Sequence, residues 1–150
     1  MRAVIQRVLE ASVSINLEVV SKIDNGLLVF LGIEERDNKE DIDWLIGKIH
    51  KMRIFSDSNG KMNLSLNDNG GSLLLVSQFT LHAQTAKGNR PSFIKAARPE
   101  HAIPLYQLFI ERWKQETNVP IQTGEFGSDM KIHLLNDGPV TLIVDSKAKE

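Results

Sequence analysis

The segment "LLVFLGI", residues 27–33, is the strongest indication of how this 150-residue chain folds. It is a continuous apolar run that is too short for a core helix, and the turn-forming pair Asn25-Gly26 comes directly before it. Such a run is typical of a β-strand that is covered on both faces. We therefore place this segment at the centre of a sheet.

The residues on the N-terminal side of the central strand predict a β-hairpin. Apolar and polar residues alternate in "RAVIQRV", residues 2–8, and the alternation continues in "ASVSINLEVVSKI", residues 11–23. Period-two alternation is the pattern of a half-buried strand. Since asparagine tolerates the left-handed conformation that turns require, we expect the turn near Asn16.

Two helices are predicted from apolar residues at helical spacing. The first is expected from about residue 38 to residue 51, with Asp37 or Asn38 as its N-cap. The second is expected over residues 99–117, and Pro104 would be tolerated only in its first turn. The apolar residues at helical spacing are Ile42, Leu45, Ile46 and Ile49 in the first helix and Leu105, Leu108, Phe109 and Trp113 in the second.

Further strands are predicted after the first helix. The run "SLLLVSQFTLHAQT", residues 72–85, indicates a strand that ends at Ser77. The turn-prone residues Asn136 to Pro139 are expected to form a hairpin turn between the last two strands, with a trans Gly-Pro bond as the commoner isomer. The closing strands are predicted at residues 119–126, 129–136 and 139–145. This order implies one domain with a mixed sheet and both helices packed on it, of the α/β or α+β class.

The composition excludes several kinds of chemistry. The absence of cysteine excludes disulfides, thiolate nucleophiles and sulfur-ligated metals. No signal peptide and no run of ~20 apolar residues is seen, so we expect a cytoplasmic protein without a membrane segment. The net charge of −1 gives no general attraction to nucleic acid. No metal site is expected, because the four histidines lack ligand-like spacing: His50, His82, His101 and His133.

The end of the strand at Ser77 is polar in a way that a core strand is not. Ser77, Gln78 and Thr80 surround Phe79, which indicates either an ordinary surface loop or a strand end that binds a polar ligand. One hypothesis makes Ser77 or Thr80 the nucleophile of a small-ester hydrolase, with His82 as its base. A neighbouring group would still have to orient that imidazole.

A basic segment follows this strand end. Lys87, Arg90, Lys95 and Arg98 occur in "QTAKGNRPSFIKAARP", residues 84–99, without an acidic residue among them. The segment is either a solvated loop or a phosphate-binding surface. A non-catalytic RNA-binding module that uses this segment is therefore a second hypothesis.

Motifs along the whole chain closely resemble those of the D-aminoacyl-tRNA deacylases. This resemblance implies a single α/β domain over residues 1–150, with a mixed, barrel-like sheet and two main helices, that forms a homodimer. It also implies hydrolysis of the ester that joins a D-amino acid, or misattached glycine, to the 3′ end of tRNA, with neither a metal nor an organic cofactor. The matching motifs are "MRAVIQRV", "GKMN", "VSQFTL", "KGNRPSF", "TGEFGSDM" and "NDGPVTL".

The resemblance also implies roles for particular residues. The catalytic site that holds the terminal aminoacyl-adenosine maps to Ser77, Gln78, Phe79 and Thr80, where a route assisted by the ribose 2′-hydroxyl is favoured over attack by Thr80. A cis Gly138-Pro139 pair is implied to enter the site of the other subunit and to exclude L-side chains.

Other positions match supporting parts of the family site. Arg7 is implied to hold the Gly-Pro pair, and Thr141 to support its loop. Phe126 and Met130 match positions near the pocket, although apolar residues on strands can equally belong to the core. A sister family has a trans Gly-Pro and looser chirality, but "SQFT" keeps the D-specific pattern. The tRNA-binding residues are expected among Lys87, Arg90, Lys95 and Arg98.

Overall fold

The structure is a computed structural model that describes residues 1–149. Within these residues the chain forms eight strands, two α-helices and one short 3₁₀ turn. No helix in this part of the chain is both long and apolar enough to span a membrane. In chain order the elements are β1 (Arg2–Ile15), β2 (Glu18–Ile23), β3 (Gly26–Gly32), α1 (Lys39–Ile49), β4 (Phe55–Ser56), β5 (Met62–Leu64), β6 (Ser72–Ser77), the 3₁₀ turn (Phe79–His82), α2 (Pro99–Glu116), β7 (Ile121–Thr123) and β8 (Lys131–Asp145).

The main sheet is mixed, as the sequence predicts. Its strands follow the order β2-β1-β3-β6-β7, and β8 pairs with the other edge of β1. The β3-β6 and β6-β7 pairs are parallel, whereas the pairs of β1 are antiparallel. The strand β3 lies in the middle, with Leu27 and Val29 in the core under the helices and Leu28 in a second core on the opposite face. The prediction of a central strand covered on both faces is confirmed.

The sheet nearly closes on itself into a barrel. Its edge strands β2 and β7 approach each other, and the Ser21 hydroxyl donates a hydrogen bond of 2.6 Å to the Thr123 carbonyl. The predicted hairpin turn is present between β1 and β2, where Asn16 and Leu17 both have positive φ, 50° and 68°. Two successive positive φ values characterise the turn that matches the twist of a hairpin.

Both predicted helices are present, and one detail of the second is wrong. Asn38 caps α1 in a capping box with Asp41. Pro104 lies in the second turn of α2, not in the first. The helix continues because Pro104 and Glu100 are exposed, so water can reach the Glu100 carbonyl that lacks a backbone donor.

The predicted hairpin turn at Asn136 to Pro139 is not formed. The predicted strands 129–136 and 139–145 belong to one strand, β8, which pairs with β1 on both sides of residues 137–140. Val8 lies opposite Asn136 and Gln6 lies opposite Thr141, so the residues between Asn136 and Thr141 bulge out of the sheet without reversing the chain. The Gly138-Pro139 bond is cis, as the resemblance implies, and not trans as its base frequency suggests.

Candidate active site

A cavity of about 310 Å³ lies at the carboxyl ends of β3, β6 and β7. These three strands are parallel, so their ends and the loops that follow them meet at one edge of the sheet, where ligand sites of α/β proteins usually form. The cavity is lined by Leu31, Ile33, Val76, Ser77, Gln78, Phe79, Ala97, Ala102, Phe126, Gly127, Ser128, Asp129, Met130 and Ile132.

The polar strand end forms one wall of this cavity. The Gln78 N–H donates to the Leu31 carbonyl at 2.8 Å, which continues the parallel pairing of β6 with β3 for one residue. The chain then turns into the 3₁₀ turn and brings Phe79 to the surface, where its side chain is 55% exposed. Ser77, Gln78 and Phe79 line the cavity, and Thr80 is exposed beside them.

The hydroxyl of Thr80 is held by a neighbouring amide. The Gln78 side-chain Nε2 donates a hydrogen bond of 2.6 Å to Thr80 Oγ1. An amide is not a base, so this contact orients the hydroxyl without activating it as a nucleophile. The backbone N–H groups of Phe79 and Thr80 begin the 3₁₀ turn, and neither donates a hydrogen bond within residues 1–149. This strand end therefore carries two free main-chain donors next to an aromatic ring.

An aromatic contact that the sequence analysis missed supports this ring. Phe93 packs edge-to-face on Phe79, with ring centroids 5.2 Å apart and planes inclined by 77°. Its segment is pinned by the Gln84–Ser92 backbone bridge. Phe93 belongs to the motif "KGNRPSF", which marked the segment without assigning a role to this residue.

The loop after β7 supplies further lining residues of the same cavity. Phe126 and Met130 line the cavity, and the Phe126 ring also contacts Tyr106 of α2 at a centroid distance of 5.7 Å. Phe126 is therefore both a lining residue and part of the core packing. Asp129, which the sequence analysis did not single out, is the one charged side chain among the lining residues that the structure describes.

The Gly138-Pro139 bulge lies outside this cavity within one chain. Arg7 is buried beside the bulge, and its Nε lies 3.0 Å from the Asp137 carboxylate and 3.3 Å from the Asp137 carbonyl. Its Nη1 donates to the Ile54 carbonyl at 2.5 Å. Thr141 donates a short hydrogen bond to the side-chain oxygen of Gln6. The structure thus brings Arg7 and the bulge together but does not bring them to the strand end of the same chain.

The basic residues and His82 lie away from the first cavity. Lys87, Arg90, Lys95 and Arg98 are all exposed. His82, the base of the ester-hydrolase hypothesis, is buried and lines a different cavity together with Lys95. Its Nε2 has no hydrogen-bond partner in the described part of the chain, so this nitrogen is not hydrogen-bonded to Ser77 or Thr80. Among residues 1–149 no group of three or more metal-ligating side chains is found.

Comparisons with known proteins give a consistent result over the whole chain. Residues 4–145 match the family described as D-Tyr-tRNA(Tyr) deacylase. A D-aminoacyl-tRNA deacylase of Flavobacterium psychrophilum is 58% identical over 150 residues, which is all of both chains. A solved c-Myc DNA unwinding element binding protein is 40% identical, with a TM-score of 0.93 over 99% of this chain and 100% of the other. A probable eukaryotic D-amino acid tRNA deacylase shares the fold at 18% identity, with a TM-score of 0.78 over 95% and 97% of the two chains.

Proposed function

Because this chain belongs to the D-Tyr-tRNA(Tyr) deacylase family, and is therefore an enzyme that acts on aminoacyl-tRNA, we propose that it removes D-amino acids and misattached glycine from tRNA and rejects L-aminoacyl-tRNA. The observation that carries this proposal is the strand end of residues 77–80: its first three residues line the cavity, and it has an exposed aromatic ring and two free main-chain donors. We further propose that the enzyme works in the cytoplasm, where its substrate is made, and needs no metal or organic cofactor.

The proposed catalytic residues are Ser77, Gln78, Phe79 and Thr80. Phe79 offers a π-face for the terminal adenine, as aromatic side chains do for unstacked bases. The N–H groups of Phe79 and Thr80, which have no acceptor within residues 1–149, would donate to the oxyanion that develops on the ester carbonyl. Ser77 and Gln78 line the cavity and position the aminoacyl group between these donors and the loop after β7.

The proposed reaction is a water attack that the substrate itself assists. The water oxygen bonds to the ester carbonyl carbon, and the bond from that carbon to the ribose 3′-oxygen then breaks. The ribose 2′-hydroxyl accepts the water proton and passes one to the departing 3′-oxygen, so no side-chain base is required. The hydrogen bond from Gln78 to Thr80 supports this route, because it leaves the Thr80 hydroxyl without a base that would make it a nucleophile.

A deacylation time course tests the function. Matched D-tyrosyl-tRNA, L-tyrosyl-tRNA and glycyl-tRNA are incubated with wild type, Thr80→Ala and the control Thr85→Ala, whose exposed side chain lines neither cavity. We expect rapid loss of the D and glycyl esters, an intact L ester, and activity that survives in both variants. An inactive Thr80→Ala beside an active Thr85→Ala would make Thr80 the nucleophile, and a stable D ester with wild type would refute the function.

Chiral rejection is proposed to come from Gly138 and Pro139 acting across a dimer. Their carbonyls would form a wall against an L-side chain, which discriminates by exclusion and so leaves glycine as a substrate. Arg7 supports this assignment because it is buried against the bulge and binds Asp137, and Thr141 fixes the strand beyond it. Since the bulge lies outside the cavity of its own chain, the gate requires a second copy.

The homodimer is supported by exposed apolar side chains next to the bulge. Leu135 is half-exposed on β8 and Leu9 is half-exposed on the adjoining part of β1. We expect Leu135→Glu to convert a dimer into a monomer in light-scattering measurements. Leu17→Glu is the matched control, because Leu17 is fully exposed at a hairpin tip. A monomeric wild type at micromolar concentration would contradict the dimer.

The basic segment is proposed to contact the tRNA backbone. Lys87, Arg90, Lys95 and Arg98 are exposed and follow the strand end directly, as a phosphate-binding surface would. We expect Lys87→Ala with Arg90→Ala to weaken tRNA binding at low salt and to flatten its salt dependence. Unchanged affinity for tRNA at low salt would show that these two residues do not contact the tRNA.

A hydrolase that uses His82 with Thr80 or Ser77 is disfavoured by the burial of His82 on another cavity. The two mechanisms predict different losses for His82→Ala. The substrate-assisted route predicts a mild loss of kcat, whereas a triad predicts a steep one. A non-catalytic RNA-binding module would be indicated by salt-dependent tRNA binding without turnover of any aminoacyl ester.

A further inference from the structure

A second cavity of about 250 Å³ lies at the other end of the 3₁₀ turn from the candidate active site. The two cavities share one segment: Ser77, Gln78 and Phe79 line the first, and His82 lines the second. A 3₁₀ turn rises about 2.0 Å per residue, so the backbone advances by roughly 6 Å over the three steps from Phe79 to His82. The two cavities are therefore linked in the chain by one short turn of backbone.

The wall of the second cavity carries more positive than negative side chains. Its cations are Arg2, Arg36, Lys95 and Lys147, and its carboxylates are Glu34 and Asp145. Three cations are paired: Arg2 with Asp145 at 2.8 Å, Arg36 with Glu34 at 2.9 Å, and Lys147 with Asp41 at 2.8 Å.

Two of these cations keep donors free for a ligand. None of the ion pairs found within residues 1–149 includes Lys95, which is exposed. The Arg36 side chain is 71% exposed and contacts Glu34 through one terminal nitrogen. A guanidinium has five N–H donors in a planar fork, so most of the donors of Arg36 remain available.

A buried imidazole in the same wall has an unused nitrogen. His82 is only 6% exposed, and its Nε2 has no hydrogen-bond partner in the part of the chain that the structure describes. Buried side-chain nitrogens are paired in most proteins. This nitrogen has almost no accessible surface of its own, so a ligand in the cavity is expected to contact the cations and not the imidazole.

We infer that the second cavity binds the phosphate group on the 5′ side of the terminal adenosine of tRNA, with Lys95 and Arg36 as its principal contacts. This inference rests on the proposed function. The first cavity has no cationic side chain among its lining residues, and its one charged group there is the carboxylate of Asp129. A nucleotide whose ribose lies at the strand end must therefore place its phosphate outside that cavity, and the cationic wall lies one short turn away.

Binding of AMP and adenosine tests the site without a catalytic step. Both are titrated into wild type, a Lys95→Met/Arg36→Met double variant, and the control Lys114→Met. Lys114 is an exposed lysine of α2 that lines neither cavity. We expect AMP to bind wild type about tenfold more tightly than adenosine, which equals about 1.4 kcal/mol. The double variant should lose this difference and Lys114→Met should keep it. Equal affinity of wild type for AMP and adenosine would overturn the inference, as would an unchanged preference in the double variant.

Competition and hydrolysis separate this inference from the proposed function. Inorganic phosphate should weaken AMP binding and leave adenosine binding unchanged. Displacement of adenosine by phosphate would place the anion in the first cavity and overturn the assignment. A wild type that prefers AMP but hydrolyses no D-tyrosyl-tRNA would refute the function and leave the phosphate site. A wild type that hydrolyses D-tyrosyl-tRNA but binds AMP and adenosine equally would refute the phosphate site and leave the function.

Discussion

The contact between Gly138 and Arg7 makes a quantitative prediction about Gly138→Ala. Gly138 has φ +116°, and a Cβ built on it would lie 2.6 Å from Arg7 Nη2. Arg7 is not free to move away, because its Nη1 binds the Ile54 carbonyl and its Nε binds Asp137. An alanine at this position therefore meets both an unfavourable backbone conformation and a blocked side chain.

Gly60→Ala is the matched control for this substitution. Gly60 has φ +75°, but nothing lies within 4 Å of a Cβ built there. Left-handed backbone costs about 1–2 kcal/mol for an L-residue at either position. Breaking a charge-assisted hydrogen bond of Arg7 adds about 1.5–3 kcal/mol for Gly138→Ala alone. We expect the free energy of unfolding to differ between the variants by about 2 kcal/mol, which is roughly 4–8 °C in Tm for a chain of this size.

Urea unfolding and thermal melting of both variants measure the difference. Equal losses would refute the reasoning, because they would mean that Arg7 gives way without energetic consequence. The folded Gly138→Ala enzyme should also hydrolyse L-tyrosyl-tRNA faster relative to D-tyrosyl-tRNA than wild type does, since the proposed wall is displaced. Gly60→Ala should keep the wild-type ratio.

Three further substitutions test the core and the site. Tyr106 is the single tyrosine of the chain, and its hydroxyl donates to the Leu75 carbonyl at 3.0 Å, so Tyr106→Phe should lose about 1 kcal/mol in urea unfolding at pH 7. Burial raises the pKa of Tyr106 above its ordinary value, so the hydroxyl loses its proton at a lower pH in the unfolded chain than in the folded one. The free energy of unfolding of wild type should therefore fall as pH rises above about 10. The phenylalanine variant should lack this pH-dependent fall. Burial opposes ionisation of Asp41, but hydrogen bonds, led by the one from Lys147, outweigh burial and lower the pKa of this carboxyl. Asp41→Asn should therefore lower the free energy of unfolding by about 1 kcal/mol at pH 7. The difference in stability between the variant and wild type should vanish as acid protonates the wild-type carboxyl. Phe79→Leu should change the free energy of unfolding by no more than about 1 kcal/mol, because the ring is half-exposed, but should lower kcat/KM for D-tyrosyl-tRNA about tenfold. An unchanged kcat/KM would contradict adenine stacking on this ring.

The local elements were predictable because each is set by short-range pattern. Alternation in residues 2–23 gave a hairpin, and Asn38 followed by residues at helical spacing gave α1 with its cap. The apolar run of residues 27–33 predicted the central strand, since only a strand covered on both faces buries apolar side chains at every position. The motif "SQFT" likewise marked the polar strand end that lines the cavity.

Other features depend on partners far away in the chain. Residues 136–139 have the composition of a turn, but they form a bulge because the segments of β8 on both sides pair with β1, more than 115 residues earlier. The burial of His82 has the same origin: Gly32 leaves room for its ring, and a Cβ there would lie 3.1 Å from it. The role of Phe93 was missed because this residue acts through its contact with the Phe79 ring, and the order of residues in the sequence does not reveal that contact.

Most strands, both helices, the polar strand end and the family could be inferred from the sequence, since periodicity, capping and motifs are properties of neighbouring residues. The continuity of β8, the cavity that the loop after β7 shares with Phe79, and the second cavity that His82 shares with Lys95 depend on the folded chain. The physical reason is that strand pairing and burial are selected by the free energy of the whole sheet. A turn-like segment takes whichever conformation lets its long-range partners keep their hydrogen bonds.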